Sequence, residues 1–254
     1  MPVVSAEADD WRKFRARLAA SSRREEGDGA GGERVGAGVD GADEGDVWAH
    51  ALEVPERGCL VLARPGVFGD GSQGYFERAA ILLFSHGEEG SGGVILNKPA
   101  GTMGEMVGEG ELEEFVASEV YLGGDVGETV LCLHGVKGVD GAVPVIAGRE
   151  DGVWLGGLPD ARARVRDGTS SSAEFKFYAR HCGWGPGQLE GEVARGVWWL
   201  AAASPRVVMA GAGDPIVAAA EPEGGDKTGL WKAVCELMGG EARAHARAAD
   251  SPGC

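Results

Sequence analysis

The alternation of apolar and polar positions is clearest between Phe175 and Trp199. Phe175, Phe177 and Ala179 alternate with Lys176, Tyr178 and Arg180, the period of a strand with one buried face. Gly183, Gly185 and Gly187 then permit tight or left-handed turns. Pro186 suits the first turn of a helix, where no N–H partner is needed. Leu189 and Val193, four apart, mark one face of that helix. Gly196 can stop it, and Val197-Trp198-Trp199-Leu200 leaves as an apolar strand. The stretch predicts strand, glycine turn, short helix and strand.

Other apolar runs predict further strands at Cys59–Ala63, Ala79–Phe84 (running into Ser85-His86), Gly93–Asn97, Val120–Leu122, Val130–His134, Val143–Ala147 and Val153–Gly156. Pro65 stops the first of these and Pro99 closes the third. Thr102 and Glu105 have the spacing of a capping box that opens a short helix. Glu111–Ala117 and the arginine-studded Pro159–Val165 predict two more helices. Leu230, Trp231, Val234, Leu237 and Met238 form one apolar stripe, so a last helix is expected over Asp226–Met238, ended by Gly239. Residues 66–74 and 169–173 read as loops, and 205–225 as irregular. The tail over 241–254 is expected to fray.

The ends and the linker differ from this body. Residues 1–24 hold a short amphipathic helix: Trp11, Phe14 and Leu18 share a face, and Arg12, Lys13, Arg15 and Arg17 make the other face basic. Glu7, Asp9 and Asp10 argue against a cleaved presequence, which avoids acids, so a docking or solvated helix is expected. Residues 25–46 are Gly, Asp, Glu and Ala with almost no large apolar group, and are expected to be a disordered linker. One folded domain is expected over 47–240.

Composition narrows the function classes. The 254-residue chain has 43% hydrophobic residues, enough for one sizeable core. No run of about 18 apolar residues offers a membrane span. A formal charge of −16 repels phosphate backbones, so nucleic acid is a disfavoured partner. Cys59, Cys132, Cys182, Cys235 and Cys254 are odd in number and widely spaced, which fits a reducing, intracellular compartment better than a disulfide framework or a zinc ribbon. Asn97 is the only asparagine, and Gln73 and Gln188 are the only glutamines, in a chain biased toward Gly, Ala and Arg.

Three letter matches carry no chemistry. Gly36-x-Gly38-x-x-Gly41 has no strand before it and no amphipathic helix after it. Asp70-Gly71-Ser72-Gln73-Gly74 lacks the first glycine of a nucleophile elbow. Gly225-Asp226-Lys227-Thr228 has Asp where a phosphate loop needs Gly, and reads as a helix cap.

Six segments, in order, carry a resemblance. They are Gly58–Ala63; Tyr75-Phe76-Glu77-Arg78 with the strand to His86; Gly92–Pro99; Tyr121–Gly124; Leu131–His134; and Gly183-Trp184-Gly185-Pro186-Gly187-Gln188-Leu189-Glu190. Together they make the chain similar to the YqgE/AlgH proteins across about 48–204. Asp9–Leu18 and the late 229–240 segment resemble the plant and green-algal branch. In that branch the Asp-Trp-Arg segment follows a chloroplast presequence. This chain starts just before it, and is therefore expected to be shortened at its start or a non-plastid copy. Two departures stand out: Gly123-Gly124-Asp125 where the family often has Gly-Gly-Pro, and Arg180-His181-Cys182-Gly183-Trp184 where it often has Gly-Tyr-Ala-Gly-Trp. The resemblance implies an α+β single domain with a bent, partly rolled mixed sheet, a pseudo-barrel, flanked by helices. It implies no activity. Some bacterial members carry a transcription-regulator label that rests on genetics, and the family has no established DNA-binding motif or catalytic set.

Candidate chemistry follows from residue type and placement. Cys182 with His181 could serve as thiol and base, but neighbours on a strand point to opposite faces. His86 and His134 each end a strand and could meet Asp125 or Glu190 around a metal if the strands were neighbours, although no ligand spacing supports it. Asn97, Gly123, Gly124, Trp184 and Gln188 are the stronger pocket candidates, because glycines expose backbone amides and amide side chains supply donors and acceptors. No cofactor is implied. The expected function is non-enzymatic binding of, or regulation through, a protein or small-molecule partner, in the cytoplasm or the chloroplast stroma. A thiol- or metal-dependent hydrolase and a transcriptional regulator are the alternatives.

Overall fold

The computed structural model describes Arg12, Arg15 and residues 47–69, 73–107, 112–148, 151–211, 213–220 and 228–248. The linker at 25–46, the rest of the N-terminal segment, Glu111, Asp226, Lys227 and 249–254 lie outside the described residues.

The strands are β1 (Ala49–Leu52), β2 (Leu60–Ala63), β3 (Ala80–Gly87), β4 (Gly90–Ile95), β5 (Pro99–Thr102), β6 (Glu119–Leu122), β7 (Val126–His134), β8 (Ala142–Ile146), β9 (Val153–Gly156), β10 (Phe175–Trp184) and β11 (Trp198–Ala203). The helices are α1 (Met103–Met106), α2 (Leu158–Arg166), α3 (Gln188–Ala194), α4 (Pro205–Val208), α5 (Pro215–Ala218), α6 (Gly229–Met238) and α7 (Gly240–Ala248). The strands form one mixed sheet in the order β1-β11-β2-β3-β4-β10-β7-β9-β8, with β6 and β5 branching from β10. The expected α+β fold with a bent sheet is observed, and the sheet does not close into a barrel.

The bend lies in β10. One edge pairs with β7 along most of its length. The other edge changes partner: Phe177–Ala179 pair with β6 in parallel, and Cys182–Trp184 pair with β4 antiparallel. Between the halves the register shifts at Ala179/His181, and Arg180 takes a left-handed φ of 64°. This is a β-bulge, which bends and re-aims a strand. Gly123 fills the gap, donating its N–H to the Ala179 carbonyl (2.7 Å) and accepting from Ile95 N–H (2.9 Å). There is no room here for a side chain. A Cβ on Gly124 would lie 2.1 Å from the His181 carbonyl carbon, and one on Gly123 would lie 2.4 Å from the Arg180 oxygen.

Three apolar clusters pack the sheet. The largest sets α6 against β1, β2 and β11, with Leu230, Trp231 and Val234 buried and the Trp231 indole donating to the Ala63 carbonyl (2.9 Å). Burying each such side chain contributes about 1.5–3 kcal/mol. A second cluster joins Trp184, Leu189 and Trp198, and a third joins Phe115, Phe175, Phe177 and Cys132. Alternation along β10 therefore sends Phe175 and Phe177 into one cluster and Tyr178 into another.

Several expectations are corrected. Pro99 opens β5 rather than ending the chain's extended run; as the first residue of a strand paired on one side only, it needs no ladder donor. Glu113–Phe115 is one 3-10 turn instead of a helix. Pro186 precedes α3, whose N-cap is Gly187 at φ 69°. The segment expected to be irregular holds α4 and α5, each with Pro at its first turn and a Ser204 or Asp214 cap accepting from Val207 N–H or Ile216 N–H. The tail does not fray at Glu241: α7 continues to Ala248 because Ala242 and Ala246 pack into the largest cluster. At the other end, buried Arg12 donates to the Gly58 carbonyl (2.8 Å) and Arg15 pairs with Glu56 (2.9 Å).

Substitution at the partner switch is expected to be costly. Gly124→Ala forces backbone apart and lowers stability by about 3 kcal/mol or more. Gly183→Ala, three residues beyond the bulge and 3.6 Å from Val126 at its nearest, changes stability by less than about 1 kcal/mol. Denaturant unfolding of the two variants checks the contrast; equal losses would contradict it.

Candidate functional site

The helix α3 starts where β10 ends, and the turn between them builds the site. Gln188 Oε1 accepts from the Gly185 N–H (3.0 Å), closing the turn, and its amide nitrogen donates to Glu192 Oε1 one helical turn on (2.9 Å). The other Glu192 oxygen accepts from two indoles, Trp184 Nε1 at 2.9 Å and Trp198 Nε1 at 2.7 Å. One carboxylate thus ties the end of β10, the start of β11 and the helix together. The two indole rings meet edge-on, 6.1 Å apart, and Phe68 and Phe76 pack against Trp198.

Beside this fork lies a cavity of about 410 Å³. Phe68, Phe76, Trp184 and Trp198 give it aromatic walls, and Asp125, Gln188, Glu192 and Arg195 bring charge and hydrogen-bonding groups to it. Burial and the Asp125 carboxylate push the nearby Tyr75 phenol above its usual range, so it stays a neutral hydroxyl.

The five pocket candidates separate. Trp184 and Gln188 line the cavity; Asn97, Gly123 and Gly124 do not. Asn97 is buried where β3 begins, accepting from Ala80 N–H and donating to the Arg78 carbonyl, each at 2.9 Å. The two glycines serve the bulge of β10. Glu192, Trp198 and Arg195 were missed by sequence reasoning, although Gln188 and Glu192 have the i, i+4 spacing that places them on one helix face.

The Cys182 thiol is buried and donates to the Gly123 carbonyl (3.4 Å), and burial raises its pKa far above the thiolate range. His181 projects the other way, its ring 6.1 Å from that of Phe84. Thiol and imidazole therefore do not meet. His86 and His134 sit on β3 and β7 with β4 and β10 between them, so the strands are not the neighbours that a shared metal required. His86 bonds Ser91 Oγ (2.8 Å) and has Glu190 at 3.8 Å. His134 is fully buried between Trp154 and Phe175, and burial lowers its pKa, keeping the ring neutral. Among the described residues no three His, Cys, Asp or Glu side chains are grouped to hold a metal ion.

Fold and comparison now agree. The AlgH-like family model (DUF179) matches residues 60–243, and the chain belongs to that family. The chain is 33% identical over 165 residues to the UPF0301 protein CT0663 of Chlorobaculum tepidum, covering 63% of this chain and 82% of that one. It is 34% identical over 155 residues to a UPF0301 protein of Streptomyces avermitilis, covering 58% and 76%. The crystal structure of protein DIP2367 from Corynebacterium diphtheriae superposes with a TM-score of 0.55 at 22% identity, covering 76% of this chain and 92% of that one, which shows a shared fold.

The carboxylate fork makes a sharp prediction. Glu192→Ala removes the acceptor that both indoles and the Gln188 amide share, leaving their N–H donors unpartnered at a cost of about 1–3 kcal/mol. Trp184 and Trp198 emission is expected to shift red. Unchanged stability and emission would contradict the fork.

Proposed function

We propose that this chain is a non-enzymatic binding or regulatory module whose ligand site is the cavity between β10, α3 and β11. The observation that carries the reading is the Trp184–Glu192–Trp198 fork beside an aromatic-walled cavity of about 410 Å³. Small-molecule sites are about 300–1,000 Å³, mostly apolar, with a few fixed polar groups. Aromatic rings in its walls and the Asp125 carboxylate favour a small, flat, polar ligand that carries hydrogen-bond donors, and Arg195 adds a contact for one acceptor, while the Glu192 oxygens and the Gln188 amide are already bonded within the fork. The hydrolase readings have no support of this kind: the Cys182 thiol is held protonated as a donor, and His86 and His134 lie on separated strands. The charge of −16 weighs against a DNA-binding regulator.

The wider assignment is part of this proposal. The segments at Asp9–Leu18 and 229–240 favour the plant and green-algal branch of the family, in the cytoplasm or the chloroplast stroma; the relatives above are bacterial. No helix among the described residues is long and apolar enough to cross a membrane. The family domain is taken over 47–240 with α7 packed onto it, and the segments 25–46 and 1–24 precede it; of the latter, Arg12 and Arg15 pair with the 56–58 turn.

A small-molecule library screened by tryptophan emission and thermal shift tests the site. A true ligand at a hundredfold excess over its Kd stabilises the fold by about 2.7 kcal/mol. Val67 lines the cavity and is 45% exposed, so Val67→Trp fills the site with little strain on the core and abolishes that shift. Ligands that bind the variant as well as the native chain would overturn the assignment.

A further inference from the structure

A second cavity, of about 530 Å³, lies beside the first half of β10 and shares no lining residue with the first. Glu119, Tyr121, Lys176, Met209, Gly211 and Asp214 are among its walls. Lys176 is an unusual occupant. It sits mid-sheet, opposite Leu133 of β7, on the face turned away from Phe175 and Phe177. No hydrogen bond or close ion pair joins its ammonium to a described residue, although two carboxylates are nearby.

Those carboxylates are engaged elsewhere. Arg206 grips Asp214 with two bonds, Nη1 to Oδ2 at 2.6 Å and Nη2 to Oδ1 at 3.1 Å. The Tyr121 hydroxyl donates to Glu119 Oε2 at 2.7 Å. Gly211 completes the arrangement. A Cβ there would lie 2.8 Å from Lys176 Nζ and 3.7 Å from the Tyr121 oxygen, so glycine leaves the amine room beside the phenol that a side chain would take by displacing the lysine tip.

We propose that Lys176 captures small aldehydes or ketones in this cavity as a reversible imine. The Nζ lone pair forms the C–N bond at the carbonyl carbon. The carbonyl oxygen is protonated and leaves as water, and the imine carries the remaining proton as an iminium. No oxidant, reductant or further reactant is consumed, and water reverses the step. The charges select this chemistry. An added anion would face both Glu119 and Asp214, whereas a neutral carbonyl does not, and the iminium keeps the positive charge that Asp214 and Glu119 already balance together with Arg206. Burial, opposed by Asp214 and Glu119, brings the Lys176 ammonium down to about 8. At neutral pH the free amine is then a few hundredfold more abundant than on an ordinary lysine.

Reductive trapping on the full chain tests this. Propionaldehyde with sodium cyanoborohydride at pH 7, followed by peptide mass spectrometry, is expected to place an N-propyl group on Lys176 at least tenfold faster than on the exposed Lys137. The Lys176 rate is expected to reach half its maximum near pH 8, and Lys176→Met removes the fast phase. Labelling of native Lys176 no faster than Lys137 would overturn the proposal, whatever the variant does. So would fast labelling whose rate keeps rising to pH 10.

Discussion

The fold depends on a backbone-to-backbone approach. Where Gly123 and Gly124 press against Arg180–Cys182, β10 exchanges one neighbour for another, and both backbone groups of Gly123 are paired across the gap. Gly123 is the pivot, since its N–H serves Ala179 and its carbonyl serves Ile95. An unpaired buried backbone group costs about 1–3 kcal/mol, so the switch is stable only because both groups are used. The left-handed Arg180 and the glycine pair are two halves of one device.

The partner switch also determines where chemistry can occur. The first half of β10, held between β6 and β7, carries Lys176 to one cavity. The second half, paired with β4 beyond the last β7 contact at His181, ends at Trp184 and leads directly into α3, so that Glu192 can reach back to two indoles and the helix's own Gln188. A shift of one residue in β10 would exchange these faces: Lys176 would enter the phenylalanine cluster and Cys182 would turn from the core. Register and site are therefore the same constraint.

Much of the architecture was legible in the sequence. Alternation from Phe175 to Arg180, the apolar runs at Leu60–Ala63 and Trp198–Leu200, and the stripe at Leu230–Met238 mark buried faces, and the structure buries them. Thr102 and Glu105 form the reciprocal cap that their spacing indicates. What escaped had weak local signals. β1 and β5 are four residues each and owe their extended form to β11 and β6. The alanines of α7 suggest no core until α6 offers a surface. At the site, Trp184 and Gln188 were legible as a glycine-turn pair, whereas Asn97, Gly123 and Gly124 looked like ligand contacts because the same residue types serve close packing and recognition. The spacing from Gln188 puts Glu192 on the same helix face, but its bonds to the Trp184 and Trp198 indoles are tertiary contacts that no spacing encodes.

Native-state hydrogen exchange across Phe175–Trp184 tests the central role of β10 most directly. The account predicts that these amides, with those of Ile95 and Gly123, exchange only through global unfolding and so report the largest protection free energy in the domain. Protection in β10 below that of the sheet-edge strands β1 and β8 would contradict it.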